Sequence, residues 1–192
     1  MRNYFFILLL FRPFQLLAQP LSVSVETISP VLASTNDSIY YRSTDKLIWN
    51  NFKAAPDKGG LTAALTSSGF GYDAGMLYKN GSGTLNINTY CFFDKSKSWV
   101  KPNQRTDYIL DHEQHHFDIS CIGMQIFIQR LKQTRFTVQN YSSMLDKLYN
   151  ESYEAMTRLQ NEYDNETKNG QLKNKQAEWI KKIDQQLAGL LK

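Results

Sequence analysis

Thr106-Asp107-Tyr108-Ile109-Leu110-Asp111-His112-Glu113-Gln114-His115-His116-Phe117-Asp118 is the stretch at which this chain changes character. From here the apolar residues follow a helical period. Leu110, Phe117, Cys121, Met124, Ile128 and Leu131 recur at three-, four- and seven-residue intervals, which marks one buried stripe along about six turns. Pro102-Asn103 stands just upstream, where a helix could start.

Upstream the period is that of strands, and the whole of 39–93 reads as β structure. Leu85, Ile87, Thr89, Cys91 and Phe93 alternate with Asn86, Asn88, Tyr90 and Phe92, as in a strand with one buried face. Residues 61–67 form a shorter strand candidate. The Gly69-Phe70-Gly71-Tyr72 run, Gly75 and Asn80-Gly81-Ser82-Gly83 carry turn chemistry. Residues 19–37, rich in Ser, Thr, Pro and Val, read as a lead segment or edge strand.

Downstream, a second helix is expected from Ser142 to about Asn165, with Leu145, Leu148, Met156 and Leu159 inward and a stop at Asn169-Gly170. A third runs from Lys175 to Leu191, with Trp179, Ile180, Ile183, Leu187 and Leu190 on one side. Strands first and helices after predict an α+β class, with one domain over 38–192.

With 192 residues, 42% hydrophobic and 21% charged, the chain can bury an ordinary globular core. Its formal charge is +4; without Arg2 and Arg12 there remain 20 basic and 18 acidic residues, a net of +2. With no basic run, nucleic acid is excluded as the main partner. Residues 1–18 have the pattern of a secretory signal: Arg2, then an apolar run from Tyr4 to Phe11, then Leu16-Leu17-Ala18 before Gln19. Arg12 and Pro13 cut the apolar run too short to span a bilayer. A secreted or periplasmic monomer with no membrane span after signal removal is the expectation. In an oxidising compartment Cys91 and Cys121 could pair; two separate buried thiols are the alternative.

All three histidines fall within five residues. His112 and His116, four apart on a helix, present two imidazoles on one face, the spacing that binds a single Zn²⁺. Glu113 lies about 100° round the helix, where it can reach a water beside the metal and take its proton. His115 is expected at the surface. Asp118 reads either as an acid orienting a ligand imidazole or as a solvated side chain. Gly123, on the row of the two histidines, reads as a close-packing position. A catalytic zinc has three protein ligands, and the second helix offers Glu151, Glu154, Glu162, Asp164 and Glu166. With Ile at 119, the short motif with a third histidine is absent.

Several segments carry a resemblance: Leu47-Ile48-Trp49-Asn50-Asn51-Phe52, Ala63 to Gly69, Ser98-Trp99-Val100, Leu110 to Asp118, and Tyr163-Asp164-Asn165-Glu166-Thr167 with Gln176 and Trp179. Together they resemble a family of bacterial proteins held to be secreted zinc-dependent proteases and long described as a domain of unknown function. The His-Glu-Gln-x-His-Phe-Asp core is its most specific part. The resemblance implies a zincin-like fold, with a small twisted antiparallel or mixed sheet above the motif helix and later helices below. It also implies peptide or protein substrates. In that family the Tyr-Asp-x-Glu-Thr segment is followed by His-Gly, where this chain has Asn169-Gly170. With Asp164 as third ligand, and Glu166 next in order, nothing is missing; were the His the ligand, this chain would be a degenerate binding module. Tyr163 would then donate to a developing oxyanion, and the strand 85–93 would be the edge that pairs with substrate.

Overall fold

The computed structural model describes residues 19–29, 37–57, 59–60, 62–79 and 82–191. The expected signal segment lies outside them, as does Asn80-Gly81. The strands are β1 (Leu21–Thr27), β2 (Ser38–Tyr40), β3 (Ala64–Leu65), β4 (Ser68–Lys79), β5 (Ser82–Asp94) and β6 (Trp99–Val100). The helices are α1 (Asp107–Gln133), α2 (Tyr141–Thr167) and α3 (Lys173–Leu190). The protein is therefore α+β, with a small mixed sheet and three helices.

The alternation from Leu85 to Phe93 makes β5, whose Leu85, Ile87, Thr89, Cys91 and Phe93 are buried. β5 lies in the middle of the main sheet. β4 pairs antiparallel with it along one side, from Ser68↔Phe93 to Lys79↔Ser82. On its other side β1 runs parallel and β2 antiparallel, end to end. The strand expected to be an edge is thus flanked on both sides and has no free ladder to offer a substrate.

Gly69, Gly71 and Gly75, expected in turns, lie inside β4. A Cβ on Gly71 would sit 2.8 Å from the Tyr90 ring, directly across in the register. The missing side chain makes room for a cross-strand aromatic, a use of strand glycine that turn statistics do not register.

α1 begins at Thr106, whose hydroxyl accepts a hydrogen bond from Ile109 N at 3.2 Å, a cap worth about 1 kcal/mol. Pro102-Asn103 belongs to a separate 3-10 turn. α1 packs on β4 and β5 with one face and on α2 and α3 with others. It is consequently buried almost all round from His112 to Met124, and not on a single stripe. Several of its polar residues survive this burial because they are bonded internally. Gln114 accepts from Leu47 N at 2.8 Å, and Ser120 pairs with Ser68 at 2.8 Å. Gly123 is a close-packing position: a Cβ there would meet Met156 Cβ at 2.8 Å and Phe70 Cε1 at 3.0 Å. Cys91 and Cys121, both buried and free, face each other between β5 and α1, and burial raises the Cys91 pKa. None of the described helices is long and apolar enough to cross a membrane.

Candidate metal centre

Asp164 lies on the α2 turn that meets the N-terminal half of α1. Its Oδ1 stands 3.2 Å from His112 Nε2 and 3.0 Å from His116 Nε2, and the two nitrogens are 3.2 Å apart. Three donors on a tetrahedral zinc at about 2.0–2.2 Å would be about 3.3–3.6 Å from one another. The observed triangle is within a few tenths of an ångström of that, and its N, N, O composition suits the ion. These residues therefore fit a small divalent cation.

His116 is held from behind. Its Nδ1 donates to Gln160 Oε1, while Gln160 Nε2 donates to His116 O at 2.8 Å. With Nδ1 protonated and engaged, the Nε2 lone pair is directed at the centre of the triangle, the usual role of a partner behind a ligating histidine. Gln160 was missed in the sequence, although it lies one helical turn before Asp164 on the same face of α2. His112 Nδ1 is buried without a hydrogen-bond partner among the described residues and faces Gly170.

The electrostatics follow from this packing. Burial by itself would make His116 a weaker base. The hydrogen bond to Asp164 and the charge of Glu113 outweigh it, and in the protein alone its pKa is pushed up to about 9. Burial works the other way on Asp164, but its hydrogen bonds to both imidazoles hold its carboxyl well below the usual range.

Glu113 is 3% exposed, and its Oε2 has no hydrogen-bond partner among the described residues. It lines the same cleft as His112, His116 and Asp164, a cavity of about 920 Å³. One wall is the segment 62–66, joined to the motif helix by Thr66 Oγ1 donating to Glu113 O at 3.1 Å. Asn169 and Gly170, with φ of 52° and 78°, carry the chain out of α2 and into the cleft lining. Gly170 O accepts from Tyr108 OH at 2.6 Å, and the glycine packs against His112.

Three expected roles change. His115 is 4% exposed, with Nδ1 on Asp111 O at 2.6 Å and Nε2 3.5 Å from Asp184. It is covered by α3, an element that α1's own periodicity does not reveal. Asp118 is fully buried and touches neither His112 nor His116. It accepts from Tyr41 OH at 2.8 Å and from Gln114 Nε2 at 3.0 Å, and so ties α1 to the sheet side. Tyr163 is fully buried, its ring stacked on His112 at 4.5 Å between centroids and close to Trp179. It does not line the cleft, and burial raises its pKa, so it supports an imidazole and is not placed to meet an oxyanion. Of the other acids, Glu166 accepts from Trp179 Nε1 at 2.8 Å and Glu151 pairs with Arg130. Glu154 and Glu162 are exposed.

No family model, curated protein or solved structure matches this chain significantly.

Proposed function

We propose that this protein is an exported zinc-dependent peptidase of zincin-like design, a monomer that hydrolyses peptide or protein substrates with Glu113 as general base. The observation that carries the reading is the His112–His116–Asp164 triangle opening into a cleft beside an unpartnered buried carboxylate. Export rests on the signal pattern of residues 1–18, and the zincin-like assignment on the sheet-above, helices-below packing of α1 together with the family resemblance.

A zinc ion in the triangle would supply Lewis acidity toward the scissile carbonyl and toward water. The chain's own contribution begins with Glu113, whose free oxygen takes a proton from the water attacking the carbonyl carbon. It returns that proton to the amide nitrogen as the C–N bond breaks, leaving a carboxylic acid and an amine. Gln160 and Tyr163 keep the two imidazoles in register. The 62–66 wall offers backbone and Thr hydroxyls to an extended substrate.

Zinc-loaded protein should cleave an unstructured protein substrate, and Glu113→Gln should retain the metal while losing the cleavage. A degenerate binding module is the second reading, favoured by Asn169 in the cleft lining. It would be supported by full zinc loading with no cleavage by the wild-type chain.

A further inference from the structure

The cleft carries a charge pattern that the general-base reading does not use. Apart from His112, His116, Glu113 and Asp164, the charged residues lining it among the described residues are Lys101 and Lys173. Neither forms an ion pair among the described residues. Lys101 Nζ donates to Gly60 O at 2.5 Å, a neutral carbonyl, and Lys173 Nζ lies 5.5 Å from the centre of the Tyr108 ring. They come from different parts of the chain, Lys101 just after β6 and Lys173 at the first position of α3. Thr106, the cap of the 27-residue helix α1, lines the same cleft and brings the positive end of that helix dipole with it.

The rest of the lining is neutral: Thr, Ser, Ala, Gln, Asn and a few apolar side chains. Once a divalent cation balances Asp164 and Glu113, the two lysines are left as net positive charge. In a partly enclosed cleft such charge is focused and not dispersed.

We infer that the cleft selects acidic peptide segments, with Lys101 and Lys173 as the residues that recognise substrate carboxylates. This rests on the peptidase reading for the identity of the site, but its recognition step needs no turnover. Glutamate or aspartate side chains, or a terminal carboxylate, reach the two ammonium groups while the backbone lies along the 62–66 wall. A lysine- or arginine-rich segment meets like charge there and is disfavoured.

The test is fluorescence anisotropy with the zinc-loaded full chain carrying Glu113→Gln. It uses three labelled peptides of equal length, one rich in Glu and Asp, one neutral and one rich in Lys. The acidic peptide should bind at least about tenfold more tightly than the neutral one, with a margin that shrinks as salt rises. Lys101→Gln and Lys173→Gln should each weaken acidic-peptide binding by about threefold, and leave the neutral peptide unaffected. The double arginine variant should keep the preference. A control pair of exposed lysines outside the cleft, Lys132→Gln with Lys181→Gln, should change nothing and so exclude a general charge effect. Equal affinity for the three peptides, binding of none, or an unchanged preference in the double Gln variant would overturn the inference. Charge-selective binding with no hydrolysis by the wild-type chain would instead count against the peptidase reading alone.

Discussion

The Nε2 atoms of His112 and His116 face each other across 3.2 Å, and one oxygen of Asp164 is shared between them. Three electron-rich atoms at that separation need a positive centre among them. In the protein alone a proton on His116 serves; a divalent cation would replace it with shifts of only a few tenths of an ångström, because α1 and α2 already hold the three atoms close to their places.

Removing members of the triangle should therefore rank in a definite order. Asp164→Asn and His116→Ala should each weaken zinc binding by more than about a hundredfold. Gln160→Ala, which only orients His116, should cost about 10–100-fold. Competition with a chromogenic chelator gives all three constants. A Gln160→Ala loss exceeding that of Asp164→Asn would remove Asp164 from the ligand set.

The His116 proton sets the pH dependence. Its folded pKa of about 9 is raised above the ordinary 6.5. The stability it gives the zinc-free protein is thus full below about pH 6.5 and lost as pH rises through about 9. The melting temperature of zinc-stripped protein should fall across that window, and in His116→Gln it should not. Zinc must displace the same proton, so its apparent affinity should climb about tenfold per pH unit up to about pH 9 and then level.

Tyr163→Phe separates support from catalysis. The hydroxyl is buried with no hydrogen-bond partner among the described residues, so losing it should leave the melting temperature unchanged or higher. Peptide cleavage should stay within about twofold of wild type, whereas loss of an oxyanion donor costs about 10²–10³ in kcat. A fall of that size would restore Tyr163 to the reacting centre.

Gly123→Ala tests how the two helices are held together. The new methyl would press on Met156 Cβ and the Phe70 ring, for about 1–3 kcal/mol of destabilisation by overpacking. Because Met156 and Asp164 share α2, zinc affinity should fall along with the melting temperature. Unchanged zinc affinity in a destabilised variant would mean that the carboxylate is positioned independently of this contact.

What the residues revealed on their own was the part governed by local periodicity. The alternation of β5 and the helical run after Thr106 each depend on a single face meeting the core, and each is where the pattern puts it. The positions of His112 and His116 followed from the helical repeat alone. Burial of His115 and Asp118 was not legible, because it is produced by α3 and the segment around Tyr41, which pack on faces of α1 that look polar in sequence. Gly69 and Gly71 misread as turns for a related reason: what they accommodate, the rings of Phe92 and Tyr90, sits on another strand. Asp164 is one of six acids on its helix, and only the crossing of α1 and α2 distinguishes it from Glu166.

The most direct measurement is an anomalous-scattering map at the zinc edge from crystals of the zinc-loaded protein. The expected result is one ion per chain, about 2.0–2.2 Å from His112 Nε2, His116 Nε2 and an Asp164 oxygen, with the Glu113 carboxylate beside it and unligated. An ion bound elsewhere, one ligated by Glu166 or Glu113 in place of Asp164, or no ion at saturating zinc would contradict the assignment.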